Sequence, residues 1–175
     1  MEAPVCPVCT PYEAQADRCI ARTHLFKAIL DWRDQRTPGR LIIATEEHIP
    51  ALRDWTGDHW SEFGLFERSL ERALHKGLDP TEPHKLINLE CKMNLSSADA
   101  THTHWHMLPR YRNPITLADP ETGEKLTFED SFYGRPYNFD QATYRPVSPA
   151  LMARIIRSIQ ESLDLTGISG GQVGQ

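Results

Sequence analysis

The chain has 175 residues, 39% of them hydrophobic and 25% charged, which suits one globular domain able to bury its own core without disulfide staples. A net charge of −5 excludes a broad basic grip on nucleic acid, although one local pocket would suffice for a small phosphorylated molecule. No apolar run approaches 18 residues and "MEAPVCPVCT" lacks the pattern of a signal peptide, so no membrane span is expected and the cytoplasm is the expected compartment.

In chain order, residues 19–31, "CIARTHLFKAILD", predict one or two short strands, followed by a turn at "RTPG". "RLIIAT" (40–45) is short and apolar enough for a buried strand. "EEHIPALRDW" begins the move toward helix, with Pro50 tolerated near a first turn. Residues 59–75 predict the best helix, because Trp60, Phe63, Leu65, Phe66, Leu70 and Leu74 recur at three- and four-residue steps. "GLDPTEP" reads as a loop, "HKLINLECKMNL" (84–95) as a strand, "SSADA" as a loop and "THTHWHMLPR" as a strand that Pro109 helps to end. Residues 115–130 alternate on either side of "DPETG", a hairpin pattern, and "SFYGRPYNF" follows as an aromatic loop. Residues 148–165 predict an amphipathic helix with Ser148 as cap and Pro149 in its first position, and the glycine-rich tail is expected to be flexible. The sum is an α+β domain with a mostly antiparallel sheet.

Within this frame "HTHWHMLPR" (102–110) stands out. Alternate strand residues share a face, so His102, His104 and His106 form a row with roughly 6.5–7 Å between successive members. Thr103, Trp105 and Met107 point the other way, toward the body of the domain. Such a row can be a polar strand face, a metal-binding face or a catalytic one. Imidazole is the side chain that serves as nucleophile and acid–base group near pH 7.

"HTHWHML" resembles the histidine triad (HIT) family pattern, His-x-His-x-His-x-x, and "PR" is frequent after it. "GRLIIATEEH" (39–48), a long helix and a strand carrying Asn88 and Asn94 precede it in the family's order, so the resemblance covers roughly residues 4–113. It implies a HIT-like core over 1–113, with 114–166 as a C-terminal hairpin-plus-helix extension packed on it and 167–175 as the tail. It also implies attack on the α-phosphorus of a small nucleotide substrate. His104 would be the nucleophile, forming a covalent nucleotidyl-histidine, and His106 a helper at the phosphoryl or leaving group. Arg110 shares the histidines' parity and is a candidate phosphate contact, against a salt bridge as the alternative.

"CPVC" (6–9) supplies two thiols that can reach one metal from a tight turn, but two ligands do not complete a tetrahedral site. By itself the pair could equally be redox-active or inert. The resemblance to zinc-containing bacterial HIT proteins implies the other half: Cys6, Cys9, His48 and His102 as a closed, structural zinc shell. Cys19 and Cys91 have no ligand-like spacing and read as core residues.

The chain departs from the family in the loop before the triad. "NLSSADAT" (94–101) lacks the Gly-Gln pair whose amides contact phosphate in many members. Asn94, Ser97 and Asn88 are the candidate substrate contacts instead, and Asp99 is an awkward neighbour for a phosphate. Glu46 and Glu47 read as solvated or as standing near a helix start. Aromatics beside Arg135 could cover a base or leaving group, or simply pack an added element. Three functions follow: a nucleotide hydrolase or transferase, a nucleotide-binding regulatory module with little catalysis, and a zinc-stabilised interaction module. The resemblance further implies a homodimer.

Overall fold

The computed structural model describes residues 6, 8–9, 16–78, 86–94 and 101–174, with Asn94 described by its backbone alone. Strands β1 (Cys19–Arg22), β2 (Phe26–Leu30) and β3 (Leu41–Thr45) lead to helix α1 (Gly57–Gly77), then β4 (Leu86–Asn94) and β5 (Thr101–Arg110). A hairpin of β6 (Ile115–Ala118) and β7 (Lys125–Phe128), helix α2 (Pro149–Gln160) and a short β8 (Gln172–Val173) complete the chain. Six strands form one antiparallel sheet in the order β4-β5-β3-β2-β1-β8. This is the expected α+β class with a mostly antiparallel sheet. Among the described residues no helix is long and apolar enough to cross a membrane.

Helix α1 starts where its backbone donors are met. The Thr56 hydroxyl accepts from the His59 N–H, and His59 Nδ1 accepts from the Thr56 N–H, so the two close a reciprocal cap. Phe63, Phe66, Leu70 and Leu74 bury one stripe against the sheet. Trp60 and Leu65, expected in the same stripe, are 48% and 40% exposed. Leu65 lies about 200° around the helix from Phe63, and Trp60 packs against Trp55 at the rim with the rings tilted at 60°.

The turn into β3 depends on Gly39, whose φ of +88° suits glycine and whose absent side chain leaves room for Leu74 and Leu78. Strand β5 spans the whole of "THTHWHMLPR" and ends just after Pro109, at Arg110. Its pairing with β3 stops at Met107, so Pro109 lies against β4 alone and its missing N–H leaves no ladder bond broken on the other side.

The C-terminal part shares the same core. Ile115, Leu117 and Phe128 of the hairpin and Leu151, Ile155, Ile156 and Ile159 of α2 join the cluster formed by α1 and the sheet. Ser148 caps α2 through the Leu151 N–H at 3.0 Å, with Pro149 next, but the helix ends at Gln160 instead of 165.

The glycine-rich tail pairs with the sheet. Residues 172–173 pair with Ala21 and Arg22 of β1, and the Gly174 N–H donates to the Ile20 carbonyl at 3.0 Å. The Gln160 side chain donates to both the Cys19 and Gly174 carbonyls. A side chain at Gly174 would collide with the Cys19 backbone, so glycine here permits close approach rather than mobility.

Candidate functional site

Helix α1 covers one face of the sheet, and the histidines lie on the other. Register makes this explicit: Ile43 and Leu41, opposite Trp105 and Met107, join the core, while Ala44 and Ile42 stand opposite His104 and His106. Trp105 packs on Phe63 at 5.0 Å between ring centroids, and Met107 is fully buried. The strand is thus anchored by its core side, and the three imidazoles are held rigidly on a second, smaller layer.

At the first histidine that layer is the N-terminal turn. The ligand atoms of Cys6, Cys9, His48 and His102 all lie within 4.8 Å of one another. His102 Nδ1 is 3.5 Å from Cys6 Sγ and 3.4 Å from Cys9 Sγ, and His48 Nδ1 is 3.2 Å from Cys9 Sγ. A tetrahedral ion with bonds of about 2.0–2.3 Å sets its ligands roughly 3.3–3.8 Å apart, so this donor set fits a metal. The far nitrogen of His102 fits too. Thr45 Oγ1 donates to the Glu47 carbonyl at 2.7 Å, so it accepts from His102 Nε2–H at 2.9 Å and leaves Nδ1 bare toward the thiols. Burial, then the field of His48, pushes His102 down to about 4, while burial and the adjacent Cys6 push Cys9 up to about 11. Two neighbouring thiols resist ionising together unless a cation joins them. Lys27 helps pin this turn by donating to the Val8 carbonyl at 2.5 Å.

The middle histidine is held by backbone. His104 Nδ1–H donates to the carbonyl of His102 at 2.8 Å, which leaves Nε2 as the lone-pair nitrogen. Burial lowers its pKa; Lys92 and Arg33 add to this and the carbonyl bond opposes it. A neutral imidazole with a directed lone pair can attack an electrophile without first losing a proton.

The third histidine meets a different environment. His106 lies 5.2 Å from His104 and 5.1 Å from Phe139, both edge-to-face. Its Nδ1 accepts from Arg40 Nη2 at 3.5 Å, so the neutral ring carries its proton on Nε2. Arg40 is fully buried and held by Asp34 and, at 3.0 Å, by Asp31. Tyr137 donates to Asp34 at 2.8 Å and Arg36 pairs with it at the same distance. Burial and then the Arg40 guanidinium push His106 down to about 2. Burial would raise Asp34, but the bonds from Arg36 and Tyr137 outweigh it and hold the carboxyl below its ordinary value.

The remaining sequence candidates divide. Asn88, opposite Leu108, is on the histidine face but at the far end of the row. Arg110 forms the salt bridge that was the alternative to a phosphate contact: it is buried, clamps Asp130 at 2.6 Å and donates to the Arg135 and Phe132 carbonyls. Its parity is right, but the added C-terminal segment takes its guanidinium. Glu46 likewise pairs with Arg22 across the sheet at 2.6 Å, not with solvent or a helix start. Ser97, Asp99 and the side chain of Asn94 lie outside the described residues. Cys19 is buried as expected, and Cys91 is half-buried on the core side, opposite Trp105.

Sequence reasoning missed Arg40, Asp31, Asp34 and Lys92, and reached Phe139 only as one of the aromatics of "SFYGRPYNF". A charged residue opening an apolar strand, as in "GRLII", was the local sign for Arg40. The Lys92 position follows from strand parity once its register with β5 is known.

No family model matches the chain, and neither does any curated protein. Solved structures do. A zinc-bound histidine triad family protein from Mycobacterium smegmatis aligns with a TM-score of 0.56 at 16% identity, over 91% of this chain and 95% of that one. A hypothetical histidine triad nucleotide-binding protein from Sulfolobus tokodaii aligns at 0.55 and 16% identity, over 93% and 97%. A uridylyltransferase aligns at 0.56 and 15% identity, over 91% of this chain and 46% of that one. The chain therefore has the histidine triad fold.

Proposed function

We propose that this chain is a histidine triad nucleotide hydrolase or nucleotidyl transferase, with His104 as its nucleophile. The observation that carries the reading is the His104–His102 carbonyl bond at 2.8 Å, which aims a bare Nε2 away from the backbone beside a second neutral histidine. In the first step Nε2 forms a bond to the α-phosphorus of a dinucleoside polyphosphate, nucleoside phosphoramidate or adenylylated compound. The bond from phosphorus to the leaving group breaks, and that group takes the electron pair. His106 Nε2–H donates a hydrogen bond to a phosphoryl oxygen as charge builds there. Water or another acceptor then attacks phosphorus and gives up its proton to solvent, the P–N bond breaks and its electron pair returns to His104.

Cys6, Cys9, His48 and His102 would hold a structural zinc ion. A closed shell of two thiolates and two imidazoles supplies stability and fixes the position of β5; it takes no part in the reaction. Four free cysteines fit the reducing cytoplasm, and β4, an edge strand with Leu86 53% exposed, fits a homodimer paired through that edge.

His104→Ala is expected to lower turnover by about 10³-fold or more while circular dichroism and melting temperature stay near wild type. Unchanged turnover would sink the mechanism. A second reading, a nucleotide-binding module with little catalysis, is favoured by the loop before the triad, where Asp99 replaces an amide-rich turn. AMP binding without turnover across a broad nucleotide panel would select it.

A further inference from the structure

Which bond to phosphorus breaks depends on what the protein offers the departing group. Strand β4 contributes to that surface. Its register sets Lys92 directly opposite His104 and Glu90 opposite His106, and directly opposed residues share a face. Lys92 is half-buried, and its ammonium lies 3.3 Å from the centroid of the Phe139 ring. Phe139 in turn abuts His106, with Tyr137 behind it at 5.2 Å. The aromatic segment of the C-terminal part therefore holds a cation beside the histidine pair.

This cation differs from its neighbours. Arg33, Arg36 and Arg40 are each paired with an aspartate, whereas among the described residues Lys92 has no ion-pair partner. Glu90, the next residue on its face, stands roughly 6.5–7 Å along the strand. In a chain of net charge −5, an uncommitted ammonium beside two neutral imidazoles is a site for an anion.

The chemistry of departure points the same way. When the His104 Nε2–P bond forms and a P–O bond of a phosphoanhydride breaks, the bridging oxygen keeps the electron pair. The product phosphate leaves as an anion and needs no proton. An amine leaving a P–N bond must be protonated as it goes. His106 is a poor source of that proton. Arg40 occupies its Nδ1, burial and that guanidinium push it down to about 2, and surrender of its Nε2 proton would leave an imidazolate.

We propose that Lys92, seated on Phe139, is a specificity-determining residue that binds phosphate oxygens of the departing group, so that phosphoanhydrides are preferred over phosphoramidates. This rests on the nucleotidyl transfer proposed above and adds a subsite to it.

Two measurements test it. Steady-state kinetics compare diadenosine tetraphosphate with adenosine 5′-phosphoramidate. Lys92→Met is expected to lower kcat/KM roughly 30–100-fold on the anhydride and less than about 3-fold on the amidate, with Lys92→Arg retaining most of the activity. Equal losses on both substrates, or none on the anhydride, would overturn the proposal. Calorimetry gives a readout independent of turnover: wild type should bind ADP about 10-fold or more tightly than AMP, and Lys92→Met should erase the difference. ADP binding no tighter than AMP, or an advantage that survives the substitution, also overturns it. A wild type inactive on both substrates that still shows the Lys92-dependent ADP advantage would refute the reaction while supporting the subsite.

Discussion

The two ends of the histidine row carry the same side chain on the same strand face, yet they are built from opposite parts of the chain. His102 is gathered by the N-terminal turn, with two thiols and His48 on one nitrogen and Thr45 on the other. His106 is gathered by the β2–β3 connection and the C-terminal part, with a buried arginine on one nitrogen and Phe139 against its ring. One end offers soft donors to a cation, whereas the other already contains the cation. Repetition along a strand thus supplies a rigid row, and the covering segments decide what each member does. His104, between them, is hydrogen-bonded to the backbone carbonyl of His102.

The largest separation of the ends should come from metal removal. One equivalent of zinc is expected in protein purified without chelator. His48→Ala, or prolonged chelation, should lower zinc content sharply and melting temperature by roughly 10 °C or more. A metal-free protein of unchanged stability would break the comparison at its first end.

At the other end, Asp34→Ala removes one carboxylate of a fully buried Arg40 and abandons Tyr137 and Arg36. Loss of one partner from a buried ion network typically costs about 3–5 kcal/mol, measurable by urea denaturation with zinc content unchanged. A cost below about 1 kcal/mol would mean that the network does not support this end.

A smaller effect reads the same end through pH. His106 stays neutral in the fold to about 2, whereas in the unfolded chain it gains a proton below about 6.5. The unfolded state therefore binds more protons as pH falls, and stability present above pH 6.5 is lost below it. Between pH 7 and pH 5 this one group accounts for about 2 kcal/mol. His106→Gln should flatten the pH dependence by that amount relative to wild type, and an unchanged slope would refute the buried, neutral assignment. Asp34 adds nothing in this window, because a carboxyl held low loses its contribution only near or below its ordinary range.

What sequence could supply divides along the same line. Period-two spacing located the histidine row and its anchors Trp105 and Met107, because both are properties of a single strand. The α+β class followed from runs whose period and caps are local, such as Ser148 before α2. The Cys-x-x-Cys pair was legible only as half of a site; its partners lie 39 and 93 residues from Cys9 and meet it through the fold. The Arg40 network was legible only in part: a charged residue opens an apolar strand and Asp31 and Asp34 stand close before it, but Tyr137 reaches the cluster from the C-terminal part of the chain. Arg110 is the mirror case: parity sets it with the histidines, and parity alone does not show that Asp130 pairs with it. In the tail, composition alone does not tell glycine that confers freedom from glycine that permits close approach, as Gly174 does against Cys19.

The proposed chemistry turns on His104, and intact-protein mass spectrometry of enzyme quenched in acid-free denaturant during turnover of diadenosine tetraphosphate tests it most directly. A mass increase of one nucleotidyl group is expected, mapped by fragmentation to His104 and absent in His104→Ala. Turnover at an undiminished rate in that variant, or an adduct mapped to another residue, would contradict it.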